Sequence, residues 1–211
     1  MAIQAKRFIV AAALSLSTVA YAADVTVFVN GASGPWDIAA NPTFPYANIA
    51  CCGGLDIHLG PTSVSNPSLP FVVGDSLTIQ YVSGLADAGG AHELSDANGR
   101  TWWPADAGAP GQYIPGTNYL LELVGTFADS SGKIVGNPFT IGNSLVGLII
   151  PTGATQLLMG FNDGWYTDNG SGLNMNVAEV ASIPEPETYA MMLAGLGLLA
   201  FAARRRKQND A

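Results

Sequence analysis

The chain has 211 residues and a formal net charge of −8 at neutral pH, and its length allows one domain of ordinary size. Between residues 24 and 179 it carries 13 acidic residues and two basic ones, Arg100 and Lys133, which gives a net charge of −11. Nucleic acids and anionic lipid surfaces are bound by clustered cations, so this balance argues against both as partners of the central region.

The N-terminal segment has the three parts of a secretory signal peptide. Lys6 and Arg7 precede an apolar run over residues 8–19, and the small-residue site Ala20-Tyr21-Ala22 follows it. A run of about 12 residues is too short to cross a bilayer core of about 30 Å as a helix. We expect residues 1–22 to form a signal helix that signal peptidase removes. The alternative is a buried first helix of the folded domain.

Residues 23–182 are predicted to form one all-β domain, because short apolar or alternating runs end repeatedly at Gly, Pro, Asn or Asp. The predicted strands are 25–29, 76–82, 119–127, 145–150, 156–161 and 173–180. Segments 41–70 and 86–115 are predicted to be long surface loops, where binding residues tend to lie. The pattern favours a single antiparallel β-sandwich of jelly-roll type.

The block Gly74-Asp75-Ser76-Leu77 resembles the one that names the GDSL esterases. In that family the serine opens a helix, and an Asp-x-x-His pair follows near the C-terminus. Here the block opens a predicted strand, and the two histidines, His58 and His92, stand in other contexts. Serine is a poor nucleophile without a positioned base, and His92-Glu93 alone is a weak acid–base pair. We therefore predict that the chain is not an enzyme; a hydrolase with another site is the alternative.

Cys51 and Cys52 are adjacent, and in an oxidising envelope they are expected to form disulfides. A disulfide between the two would clamp the local loop, although its geometry is strained. Pairing between chains is the alternative. The region offers too few further ligands for a zinc site.

Residues 158–172 combine a strand, the pair Asn162-Asp163, a short loop and the turn Asp168-Asn169-Gly170-Ser171-Gly172. This order resembles the calcium loop of the bacterial galactophilic lectins, which have a galactose-binding-like fold. The likeness covers residues 74–177 and implies a calcium-supported carbohydrate site.

The resemblance implies a set of calcium ligands. Asp163, Asp168 and Asn169 match side-chain ligands, Thr167 matches a carbonyl ligand, and the remaining backbone ligand falls near Asp87. Calcium takes about six to eight oxygen ligands, which these residue types supply. The loop is shorter than in the lectins, and a carboxylate replaces one of their paired amides. A polar turn that holds no metal is the alternative.

Aromatic and amide side chains near this loop are the candidate sugar contacts. They are Asn162, Trp165, Tyr166, Trp102 and Trp103. Aromatic rings stack on the apolar face of a sugar while polar groups bind its hydroxyls. The alternative is that several of these rings fill the core.

The C-terminus carries Pro184-Glu185-Pro186 within residues 183–187, then an apolar segment at 188–203, then the basic tail 204–211. This three-part order resembles the PEP-CTERM sorting signal. The resemblance implies processing by an exosortase and delivery to the cell surface or extracellular matrix. The apolar segment is predicted to be a transmembrane helix that anchors the chain in the inner membrane before processing, with its basic tail in the cytoplasm.

We therefore expect an exported surface or matrix protein whose β-sandwich binds carbohydrate, such as exopolysaccharide, with calcium support. The alternative is a structural matrix protein that binds no specific glycan.

Overall fold

The computed structural model of the chain describes residues 21–42, 50–51, 54–55, 59–65, 67–89, 94–104, 119–163, 166–181 and 186–209. In chain order its elements are β1 Tyr21–Asn30, β2 Ala50–Cys51, β3 Gly54–Leu55, β4 Thr62–Ser65, β5 Ser76–Asp87, β6 Arg100–Pro104, β7 Tyr119–Leu120, β8 Leu123–Ala128, β9 Ile134–Thr140, β10 Ser144–Ile149, β11 Gln156–Phe161, β12 Gly170–Val180 and α1 Pro186–Asn209. Residues 1–20 of the predicted signal helix lie outside the described residues. Tyr21 and Ala22, the last two residues of that predicted helix, begin β1 instead.

The first sheet has the strand order β1-β12-β5-β10, and every neighbouring pair is antiparallel. Side chains alternate between its two faces, as the period of two in a strand requires. In β1, Val27 and Val29 pack on the core, whereas Thr26 and Phe28 are exposed. The burial pattern of β1 thus follows the alternation of its sequence.

The second sheet has the order β4-β11-β8-β9 and is also antiparallel. Both sheets contribute to one hydrophobic core, whose fully buried members include Leu77, Ile79, Leu173, Met175, Leu123, Leu157, Met159 and Phe161. Two antiparallel sheets on a shared core confirm the predicted all-β class and a sandwich-like arrangement.

The outer face of the second sheet is covered by residues 31–41, here called the cover segment. Its Trp36 is fully buried and packs with Val124, Ala128 and Leu158. Because one face meets the first sheet and the other meets the cover segment, all six residues of β8 are buried.

Polar contacts and one glycine hold the cover segment in place. The Thr126 hydroxyl donates to the Pro35 carbonyl at 3.1 Å. Asn41 donates from Nδ2 to the Gly132 carbonyl at 2.9 Å. At Gly160 an added Cβ would overlap the backbone of Gly34 in the cover segment, so only glycine permits this close approach.

The predicted strand 119–127 is wrong in its middle. Leu121 has φ 60°, and the Glu122 amide donates to the Tyr119 carbonyl at 3.1 Å, which forms a turn. A left-handed leucine interrupts the extended backbone, so the segment divides into β7 and β8. The other five predicted strands are confirmed within β1, β5, β10, β11 and β12.

The two predicted surface loops contain strands. β4 lies within segment 41–70 and pairs with β11, and its Val64 is buried in the core. β6 lies within segment 86–115 and pairs with β7. β9 was not predicted from the sequence, because Gly136 and Pro138 interrupt the alternation of apolar and polar residues. β9 is at the edge of its sheet, where proline is tolerated.

Helix α1 confirms that the C-terminal segment is helical. The apolar side chains described along it, among them Met191, Leu193, Leu199 and Phe201, are exposed. Among the residues that the structure describes, no helix is long and apolar enough to cross a membrane. The membrane span predicted for residues 188–203 is therefore not confirmed.

Candidate functional site

One end of both sheets, here called the loop end, gathers most of the predicted site residues. In the first sheet, β5 ends at Asp87 opposite Gly170, where β12 begins. In the second sheet, β11 ends at Phe161 opposite Leu123, where β8 begins.

The start of the cover segment ties the two sheets together at the loop end. The Gly31 amide donates to the Ser171 carbonyl in the first sheet at 2.9 Å. The Phe161 amide in the second sheet donates to the Ser33 carbonyl at 2.9 Å. Strand ends from both sheets and the first residues of the cover segment therefore share a hydrogen-bonded frame.

Three of the predicted calcium ligands meet in this frame: Asp87, Asp168 and Asn169. The Gly89 amide donates to Asp87 Oδ1 at 3.1 Å. The Asp168 carboxylate lies against the same glycine, since a Cβ added at Gly89 would overlap it. Asn169 donates from Nδ2 to the Gly31 carbonyl at 3.1 Å. Residues distant in sequence are thus brought together from β5, the turn before β12 and the cover segment.

The oxygen atoms near this frame are chemically suited to a hard cation. The amide oxygen Oδ1 of Asn169 is buried and has no hydrogen-bond partner among the described residues. Asp163 is buried, and Thr167 is exposed in the turn. Within the described part of the chain, no group of three or more His, Cys, Asp or Glu side chains is close enough to hold a metal. A calcium ion here would therefore need amide and backbone oxygens in addition to carboxylates.

The predicted sugar contacts lie in different environments. Asn162 is fully buried and donates from Nδ2 to the Tyr119 carbonyl at 3.0 Å. Tyr166 is buried beside Trp36 and donates its hydroxyl to the Phe161 carbonyl at 2.7 Å. Both side chains hold the loop end together, and the ring of Tyr166 belongs to the core.

The tryptophans differ from Tyr166. The side chain of Trp102, in β6, is 61% exposed. Trp103 follows it in the same strand, and Trp165 lies outside the described residues. The side chain of Trp102 is therefore accessible to a ligand.

Sequence reasoning missed a second set of polar groups at the loop end. Arg100 is 3% exposed, yet its Nε and Nη2 atoms have no hydrogen-bond partner among the described residues. The same holds for Ser95 Oγ, and for Oδ1 of Asn162, which was already a predicted sugar contact. The signal for Arg100 was present in the composition, because it is one of two basic residues between positions 24 and 179.

Glu122 is a buried acid at the same end. Desolvation raises the pKa of its carboxyl above the ordinary value, against the opposing effect of the Tyr119 amide, which donates to Oε2 at 3.1 Å. A raised pKa means that the folded state holds the proton more tightly than the unfolded state. The contribution of Glu122 to stability is therefore most favourable in acid, and is lost as pH rises through the folded pKa.

We expect Glu122→Gln to raise the melting temperature at pH 7 and to leave it almost unchanged near pH 3.5. The amide stays neutral and can still accept from the Tyr119 amide, so the desolvation cost of the charge is removed. Melting curves of both chains from pH 3.5 to 7 test this. Asp129→Asn is the control of opposite sign, because hydrogen bonds from Ser131 hold the pKa of Asp129 below its ordinary value. Parallel curves for Glu122→Gln and the unmodified chain would contradict the prediction.

Two other sequence motifs lie apart from these contacts. The Gly74-Asp75-Ser76-Leu77 block opens β5, so Ser76 begins a strand rather than the helix seen in GDSL esterases. Cys51 pairs with Gly54 between β2 and β3, while Cys52 lies outside the described residues. His58, His92 and Glu93 also lie outside them.

The C-terminal segment matches a known protein family model. A family model described as the PEP-CTERM protein-sorting motif matches residues 182–207. This chain carries a PEP-CTERM sorting motif. Pro186 begins α1, while Pro184 and Glu185 lie outside the described residues. The PEP-CTERM motif implies exosortase-dependent export to the surface, with membrane anchoring before processing.

The PEP-CTERM match covers the sorting segment and not the β domain. No curated protein matches the chain. The function of the domain must therefore be inferred from its own residues.

Proposed function

We propose that this chain is an exported surface protein whose β domain binds carbohydrate at the loop end, with calcium support. The observation that carries the proposal is the set of buried polar atoms without hydrogen-bond partners at that end, on Arg100, Asn162 and Asn169. Folded proteins leave few such atoms, and bound ions, ligands or water account for many of them. As part of the same proposal, the two sheets form a jelly-roll sandwich of galactose-binding-like type.

Calcium would be held by oxygen atoms from three segments of the chain. Asp87 lies at the end of β5, and Asp168 and Asn169 lie in the turn before β12. Asp163 and the Thr167 carbonyl complete the proposed set. The ion would neutralise carboxylates in a domain that has two basic residues, Arg100 and Lys133, and it would offer its remaining positions to ligand oxygens.

Carbohydrate is the ligand class that this end favours. Exposed Trp102 can cover the apolar face of a sugar ring, and Trp103 and Trp165 are further candidates. Hydroxyl groups of a sugar both donate and accept, so they suit the exposed polar side chains of the turn, Thr167 and Asp168. The domain carries a net charge of −11, which favours an uncharged exopolysaccharide over a polyanion.

Calcium should raise the melting temperature of the full chain, and chelation should lower it. At a free calcium concentration of about 100 times the Kd, binding to the folded state alone stabilises by about 2.7 kcal/mol. Asp168→Ala and Asn169→Ala should lose this response, whereas Asp129→Asn, at the opposite end of the second sheet, should keep it. A melting temperature that is the same in calcium, magnesium and chelator would contradict the metal part of the proposal.

A glycan array probed with the full chain, in calcium and again in chelator, tests the carbohydrate part. A subset of glycans whose binding is lost on chelation and in Asp163→Ala would support the site at the loop end. A blank array together with concentration-dependent self-association would favour the structural matrix protein.

A further inference from the structure

The outer face of the first sheet is a second polar surface, formed by residues other than those of the turn before β12. Three rows of side chains cross β1, β12 and β5 there in register. The rows are Asp24, Ala178 and Thr78; Thr26, Asn176 and Gln80; and Phe28, Asn174 and Ser83. We call these nine residues the polar face. Neighbouring rows are about 7 Å apart along the strands, and neighbouring strands are about 4.8 Å apart.

The polar face contains a shallow cavity. Its volume is about 340 Å³, and it is lined by Asp24, Thr78, Gln80, Asn176 and Ala178. This volume lies in the range of about 300–1,000 Å³ that is typical of small-molecule sites. Four of the five lining side chains are polar, and Asp24 is the charged one.

Hydrogen bonds orient the amides on this face. Asn176 donates from Nδ2 to Asp24 Oδ2 at 3.1 Å. Asn174 donates from Nδ2 to the Ser83 hydroxyl at 3.1 Å. The Asn174 amide is held within its own row and the Asn176 amide by a residue of the neighbouring row, so both groups are oriented before any ligand arrives. Such preorganisation lowers the entropy lost on binding.

The chemistry of the polar face selects one kind of ligand. It bears no Lys or Arg, so phosphate, nucleic acid and acidic polymers lack a partner there. It also lacks the Trp, Tyr and Arg side chains that dominate protein–protein hot spots. Amides, hydroxyls and one carboxylate match the hydroxyl groups of a sugar, and Phe28, 53% exposed, supplies an apolar surface for a ring.

We propose that the polar face binds a neutral polysaccharide chain that lies across β1, β12 and β5. This surface shares its ligand class with the proposed function, but it uses none of the proposed calcium ligands. A chain with both sites would contact polymer at two places, which raises its apparent affinity for a long polysaccharide through effective concentration.

Affinity electrophoresis of the full chain through gels that contain a neutral glucan, a neutral galactomannan or alginate tests the proposal. We expect at least one neutral polymer to retard the chain, in chelator as well as in calcium, and alginate to have no effect. The double variant Gln80→Ala with Asn176→Ala should weaken the retardation about tenfold, the change expected for losing two hydrogen-bonding groups. Asn137→Ala, a matched change at an exposed position of β9, should leave it unchanged.

The outcomes separate the two sites. Retardation that disappears in chelator would assign polymer binding to the loop end and overturn the proposal for the polar face. The proposal for the polar face would also be overturned if neither neutral polymer retards the chain. It would likewise be overturned if the double variant is retarded as strongly as the unmodified chain. The melting temperature of every variant is measured as a control. If it stays within a few degrees of that of the unmodified chain, a loss of retardation reflects a loss of binding and not of folding. If the double variant does not fold, Phe28→Ala at the edge of the face serves as the second variant.

Discussion

Trp36→Ala should lower the free energy of unfolding of the domain by about 3–5 kcal/mol, the range for removing a large aromatic side chain from a core. Trp36 is 0% exposed and fills the space between the cover segment and the second sheet. The hydrogen bond from Thr126 to the Pro35 carbonyl limits how far the backbone can move inward. The cavity left by the indole would therefore collapse only in part.

Urea denaturation of the full chain in a mild non-ionic detergent, followed by circular dichroism, measures this loss. Trp102→Ala is a matched control, because it removes the same side chain from a position that is 61% exposed. Its effect should stay within about 0.5 kcal/mol, as for most surface substitutions. If Trp36→Ala lowers the free energy of unfolding as little as Trp102→Ala does, the cover segment contributes little to stability.

Glu179→Ala should cost about 2–4 kcal/mol, since it leaves one buried and one partly buried backbone donor without an acceptor. Glu179 is 0% exposed in β12. Its Oε2 accepts from the Phe71 amide at 3.2 Å, and its Oε1 accepts from the Val72 amide at 2.8 Å. Phe71 has φ 59°, a conformation that costs free energy in a residue with a Cβ, so this turn depends on the carboxylate that binds it.

Glu179→Gln separates the hydrogen bonds from the side-chain volume. The glutamine amide keeps one acceptor oxygen, while its nitrogen faces the second backbone donor. The decrease in the free energy of unfolding of Glu179→Gln should therefore lie between zero and that of Glu179→Ala. The same urea titration measures the order of the three chains. Equal stability of Glu179→Ala and the unmodified chain would contradict this role of the carboxylate.

Five strands were predictable because their own residues alternate or form short apolar runs between turn residues, as in β1 and β11. The strands that were missed depend on their partners. β4 is four residues long and is stabilised by pairing with β11, and β9 carries Pro138, which is accepted because β9 lies at a sheet edge and pairs irregularly with β8. The cover segment could not be predicted either, because nothing local shows that Trp36 packs on the far side of the second sheet.

The candidate site was predictable in part for the same reason. The turn at Asp168 and Asn169 is continuous in sequence, so its residue types indicated oxygen ligands. The position of Asp87 opposite Gly170 is set by the register of β5 and β12, and the resemblance to the lectins located it only approximately. The burial of Arg100 results from tertiary packing and leaves no periodic pattern in the sequence.

β12 starts at the loop end and finishes at Val180, just before the sorting motif. A strand of 11 residues spans about 36 Å, whereas the five residues 181–185 reach at most about 18 Å when fully extended. The linker 181–185 of a copy held by its C-terminal segment is therefore shorter than β12. The loop end lies at the end of β12 that is farther from this linker. In a crowded layer of such copies, the loop end would face the solvent outside the layer. The polar face would then face the neighbouring copies. Polymer that threads between neighbours would meet the polar face, and polymer that arrives from outside would meet the loop end first.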